Sequence, residues 1–101
     1  MTENDRIRER ITDIRREFVK TVDPYGDILD YLVQNRVVNN ELYQRLRAIA
    51  TRQERCREML NELQGGGNPQ AFIVLREALR QDYSHIVDMI DQTTTGASSV
   101  A

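Results

Sequence analysis

Residues 65–79 read Gly65-Gly66-Gly67-Asn68-Pro69-Gln70-Ala71-Phe72-Ile73-Val74-Leu75-Arg76-Glu77-Ala78-Leu79, and this stretch decides the fold class. Three glycines in a row stop any helix that precedes them, because glycine gives up the most backbone entropy on ordering. Asn68 offers a side-chain oxygen to the free amides of a new helix, and Pro69 suits a first helical position. Beyond them, Ala71, Phe72, Leu75, Ala78 and Leu79 fall on one face at helical spacing. A helix this short is marginal alone, so its apolar face must be buried against other helices.

The same grammar repeats toward the N-terminus. Thr51 with Glu54 matches a capping box and opens a helix whose stripe is Cys56, Met59, Leu60 and Leu63. Before it, Asn39 is an N-cap flanked by a hydrophobic staple of Val38 and Tyr43, with Leu42, Leu46 and Ile49 buried. Asp23 and Pro24 repeat the cap-then-proline start, followed by Ile28, Leu29, Leu32 and Val33 and an end near Asn35. The first segment, residues 4–21, carries Ile7, Ile11, Ile14 and Phe18 at steps of 4, 3 and 4 and reads as one surface helix. Toward the other end, Ser84 caps a short helix through Ile86, Val87 and Ile90. Residues 93–101 are mostly Thr, Ser, Gly and Ala without period and read as a disordered tail or linker. The expectation is an all-α domain over residues 1–92, six short amphipathic helices packed as an antiparallel bundle.

Composition supports one such domain. The chain has 101 residues, of which 40% are apolar and 30% charged. Its 14 basic and 16 acidic side chains give a net charge of -2, so no basic excess selects nucleic acid, and recognition by charge must come from local patches. Lys20 is the only lysine. Arginine is favoured at protein interfaces for its planar fork, and lineage composition would produce the same bias. Cys56 is the only cysteine, which precludes an intrachain disulfide and suits a reducing compartment. Met1 to Arg10 lack the apolar core of a secretory signal, and no apolar run approaches the roughly 18 residues of a membrane span. The chain is expected to be cytoplasmic, with no membrane partner.

Enzyme chemistry needs residues that this sequence lacks or scatters. His85 is the only histidine, which removes two-histidine metal sites and most acid–base pairs. Cys56 lies on an apolar stripe, where a thiol is packing rather than nucleophile. The glycine run lacks the Lys-Ser or Lys-Thr pair of a phosphate-binding loop. No catalytic residue, metal or cofactor is expected.

The charged surface says more. Arg8 and Arg15 share a flank of the first helix, with Arg16 on its solvent side. On the fourth, Arg57 projects from one flank, while Arg55 lies on the other near Glu58 and Glu62, which would neutralise it. Asp27 and Asp30 face away from the apolar stripe of the second helix, with Asp23 before them, and Glu41 opens the third. These are either ordinary solvated faces or two complementary ones, acidic meeting basic head to tail between copies.

Four stretches carry a family resemblance. Ile28-Leu29-Asp30-Tyr31-Leu32-Val33 followed by Asn35-Arg36-Val37-Val38-Asn39 resembles the second-to-third helix junction of caspase recruitment domains. Arg55 to Leu63 is similar to their fourth helix, Gly67 to Leu79 to the opening of their fifth, and Tyr83 to Ile90 to their short final helix. The Arg-x-Asp-Leu motif of the death-effector relatives is missing from the last helix. The resemblance implies a six-helix Greek-key bundle, the death fold, often with a broken first helix, for which Thr12 is a candidate site. It implies a homotypic module that binds another caspase recruitment domain, or assembles as a homo-oligomer or helical polymer, in apoptotic or inflammatory signalling. The bearer would be an initiator caspase, a scaffold or an adaptor. By the same resemblance the basic side is Arg15 and Arg57 with Arg8, Arg16 and Arg52 beside them, and the acidic side is Asp27, Asp30 and Glu41. Glu54, Glu58 and Glu62 depart from the pattern by diluting the basic helix. Two other readings are a small helical nucleic-acid-binding or regulatory domain, opposed by the negative net charge, and a self-associating structural bundle.

Overall fold

Thr2 starts the first helix. Its hydroxyl accepts from the Asp5 amide at 3.1 Å, and the Asp5 carboxylate accepts in return from the Thr2 amide at 3.5 Å. The structure, a computed structural model, describes residues 2–92, so the tail expected at 93–101 lies outside the described residues. Among the described residues there are seven helices and no strand: α1 (Glu3–Asp13), α2 (Arg15–Thr21), α3 (Asp27–Gln34), α4 (Asn40–Ala48), α5 (Arg52–Gly65), α6 (Ala71–Leu79) and α7 (Ser84–Asp91). The all-α class is as expected; the count rises by one because the first segment is split.

The split falls at Ile14, where ψ opens to 18°, rather than at Thr12. Thr12 contributes all the same: its hydroxyl donates to the Arg8 carbonyl at 3.0 Å, a back-bond that bends helices. Backbone bonds span the break, Ile14 N to Arg10 O at 3.0 Å and Phe18 N to Ile14 O at 2.9 Å. The helical bonding is therefore carried across the break at Ile14. The break sends α1 onto α6 and α7 and α2 onto α5.

Three expected caps, at Asp23, Ser84 and Asn68, are corrected. Asp23 does not open α3, which begins three residues past Pro24, after Gly26 at a positive φ of 59°. That backbone region favours glycine. Ser84 is the first residue of α7 rather than its cap; Tyr83 holds the cap position, and its hydroxyl accepts from the Asp23 amide at 3.1 Å. Asn39 and Thr51 do cap, through Leu42 N at 2.8 Å and Glu54 N at 3.2 Å. Asn68 closes a turn on Gln70 N at 2.8 Å, so Pro69 lies in that turn and α6 starts after it.

The first turn of α6 has no local side-chain cap. Its donors are met from across the bundle by Asn4, a buried polar residue of α1. The Asn4 side-chain oxygen accepts from Phe72 N at 2.8 Å and Ile73 N at 3.3 Å. Asn4→Ala leaves these amides without an acceptor and is expected to cost about 1 to 3 kcal/mol in urea unfolding. Asn4→Asp keeps the oxygen, adds charge favourable to a helix start, and should recover most of the loss. Equal losses in both variants would refute the assignment.

The expected stripes meet in one core that includes Ile7, Ile11, Phe18, Leu29, Leu32, Leu46, Met59, Leu60, Phe72, Leu75, Leu79 and Ile86. Helix α6 packs on α1, α3 and α7, while α5 packs on α2 and α4. Non-sequential neighbours of this kind give the Greek-key order. Among the described residues no helix is long and apolar enough to cross a membrane.

Candidate interaction surfaces

Many of the chain's charges are used internally. Arg45 on α4 reaches Glu58 at 2.9 Å and Glu62 at 2.7 Å on α5. Arg76 holds Asp91 through two bonds of 2.9 and 2.6 Å, tying α6 to α7, with Arg6 at 3.9 Å. The Arg76 hydrogen bond is the main reason the Asp91 carboxyl is held below its ordinary range. Arg6 with Glu3, Arg10 with Asp13, and Glu77 with Arg76 and Arg80 are local pairs.

Arg55 corrects the sequence reading. It is not neutralised by Glu58 and Glu62, which belong to Arg45. Instead it folds into the body of the domain, donating to Leu46 O at 3.1 Å, Ile49 O at 2.8 Å and the Asp23 carboxylate at 3.2 Å. Leu46 O also accepts from the Ile49 amide at 3.2 Å, so Arg55 is its second donor, and Arg55 supplies a donor to Ile49 O just past the end of α4. Asp23 is accordingly a structural partner rather than part of a free acidic surface, and Glu58 and Glu62 no longer count as unpaired charge beside Arg57.

Arg8, Arg15, Arg16, Arg52, Arg57, Asp27, Asp30 and Glu41 make no ion pair among the described residues. Three of the arginines, Arg15 on α2 and Arg52 and Arg57 on α5, lie on helices that pack on each other. Arg15 donates to Asn61 at 3.1 Å, and Arg52 donates to Thr21 O at 3.4 Å. Arg57 is exposed on the same helix as Asn61 and Arg52. Arg8 and Arg16 lie apart from them. Arg8 lines a shallow groove with Asp5, Glu9 and Asp13, and Arg16 lines another with Glu17, Lys20 and Met89.

Cys56 lies on the same helix as Arg52 and Arg57, fully buried. Burial pushes its thiol up to about 12, even though Arg15, Arg52 and Arg57 each pull it down. A thiol so high is almost wholly protonated at neutral pH. Iodoacetamide at pH 7.5 is therefore expected to label Cys56 only as fast as the domain opens, with the rate climbing in urea in step with unfolding. Labelling at the rate of a free thiol in the native state would contradict this.

On the opposite-signed side, Asp27 and Asp30 are exposed on α3 and Glu41 in the first turn of α4. Tyr43 donates its hydroxyl to Asp30 at 3.4 Å, joining the two helices. Tyr25 and Tyr31 stand exposed beside these carboxylates at 43% and 38% of their full area, large apolar surface next to unpaired charge. The sequence reading missed Arg47, which lies over the rings of Tyr25 and Tyr43 at 5.9 and 5.5 Å. The spacing of Tyr43 and Arg47, one helical turn apart, was the available signal. Among the described residues no group of three or more His, Cys, Asp or Glu is arranged to hold a metal.

The seven helices pack as one all-α bundle whose first helix is split at Ile14. The family model for the caspase recruitment domain (CARD) matches residues 8–93, and the chain belongs to that family. No curated protein and no solved structure gives a significant match. Members of the family are homotypic interaction modules of apoptotic and inflammatory signalling.

Proposed function

We propose that this CARD recruits a second CARD by docking Arg15, Arg52 and Arg57 against carboxylates of the partner, and offers Asp27, Asp30 and Glu41 to the basic side of another. It performs no chemistry of its own; a downstream enzyme is activated by raised local concentration in the cytoplasm. The observation that carries this reading is that these charges stay unpaired within a domain that pairs so many of its others. A side chain already neutralised internally would have to give up an ion pair before binding, whereas Arg15, Arg52 and Asp30 have only a hydrogen bond to a neutral group to give up. Because each face has its complement on the same molecule, the contact is heterologous and can extend into a helical polymer. Arg8 and Arg16 form an outer part of the basic side, contributing to steering rather than to the contact.

The test is capture by a panel of CARDs from caspases, scaffolds and adaptors, at 50 and 300 mM salt. Binding to at least one, weakened at the higher salt and lost in Asp27→Arg or Arg57→Glu, supports the proposal. Binding that survives both reversals refutes the assignment of the faces.

A further inference from the structure

Tyr25, Gly26, Leu29, Asp30, Tyr43 and Arg47 line a small hollow of about 120 Å³ on the acidic side. The Arg47 guanidinium rests there on the two tyrosine rings, 5.5 Å from the centre of Tyr43 and 5.9 Å from that of Tyr25. Arg47 is exposed, and among the described residues it pairs with no carboxylate. Asp30 sits in the same hollow with only the Tyr43 hydroxyl on it, at 3.4 Å. The neighbouring Arg55 also lies over Tyr25, at 4.8 Å, but is fixed by its two backbone carbonyls and Asp23. Of the two arginines, only Arg47 can leave without giving up a backbone carbonyl or a carboxylate; its contacts are the Tyr25 and Tyr43 side chains.

We propose that this hollow is a guanidinium-binding site and that Arg47 is its internal occupant, displaced when an arginine of a partner's basic side arrives. Two aromatic faces with a carboxylate at the rim suit a planar, weakly hydrated, stacking cation; a compact and strongly hydrated ammonium gains less there. The domain's own arginine demonstrates the fit. That the incoming arginine belongs to another CARD rests on the docking reading above; the site itself does not depend on it. Arg47 thereby weakens the domain's acidic side in two ways, by occupying the rings and by placing a positive charge beside Asp30. Removing a surface arginine should strengthen binding, the reverse of what an ordinary contact residue does.

The probe is N-acetyl-arginine amide, titrated into the full chain with the ring protons of Tyr25 and Tyr43 followed by NMR. In Arg47→Ala those signals should shift saturably, with a midpoint roughly three- to tenfold below that of the unsubstituted protein, the size of a released cation–π contact. N-acetyl-lysine amide should bind more weakly, and Asp30→Asn placed in the same variant should raise the arginine midpoint again. Backbone amide spectra establish that the fold is kept, and Arg47→Gln serves if the alanine variant does not fold. Equal midpoints with and without Arg47, or a lysine probe that matches arginine, overturn the proposal. A site that fills while no CARD is captured counts against the docking reading alone; capture through Asp27 with no filling counts against the guanidinium site alone.

Discussion

Arg57→Glu is expected to remove detectable binding to a partner CARD while helix content and melting temperature stay where they are. Arg57 is exposed on α5 and makes no hydrogen bond or ion pair among the described residues. Its substitution therefore removes nothing that holds the fold together. At the contact, a carboxylate would meet carboxylates in a partly dehydrated setting, where a broken charge pair costs about 2 to 5 kcal/mol, a loss of roughly 30-fold or more in affinity. Arg15→Glu should reach the same endpoint with a small loss of stability, since Arg15 also bonds Asn61 and so links α2 to α5. The two variants separate docking from folding. Calorimetric titration against a captured partner, beside a thermal melt, reads both. Unchanged affinity in Arg57→Glu places the contact elsewhere on the domain.

The second large effect concerns the core. Phe72 is 1% exposed in the first turn of α6, the helix that packs on α1, α3 and α7. Phe72→Ala is expected to cost about 3 to 5 kcal/mol, from lost burial and from the cavity left behind. A domain of this size holds only about 5 to 15 kcal/mol in total, so the variant sits near the edge of folding at 37 °C. The melting temperature should fall by roughly 15 °C or more. A loss below about 1.5 kcal/mol would show that α6 is not the centre of the core.

The parts of this architecture that the sequence displays are those written locally. Ile7 and Ile11, Cys56 to Leu63, and Phe72 to Leu79 recur at helical spacing, and their burial follows from it. Asn39 and Thr51 cap because a cap acts within three residues of itself. The errors lie where distance in sequence and distance in space part. Asp23 and Pro24 carry genuine turn chemistry, yet the helix waits for Gly26, whose positive φ only the fold explains. Helical spacing puts Arg55 beside Glu58 and Glu62 on its own helix, but the carbonyls of Leu46 and Ile49 and the Asp23 carboxylate hold it instead. No glycine or proline marks the break at Ile14, because α1 and α2 diverge to reach different neighbours. Family resemblance names the charged helices one and four against two and three. Which charges are left over could not be read from it, since that depends on every pairing made elsewhere.

The bond between Asn4 and Phe72 spans 68 residues of chain. On a growing polypeptide this asparagine emerges well before the backbone that it serves. The opening segment must wait, and closing so long a loop costs entropy before any reward arrives. Intermediate lengths should then stay protease-sensitive until the last two helices emerge, so that partners meet a finished domain or none.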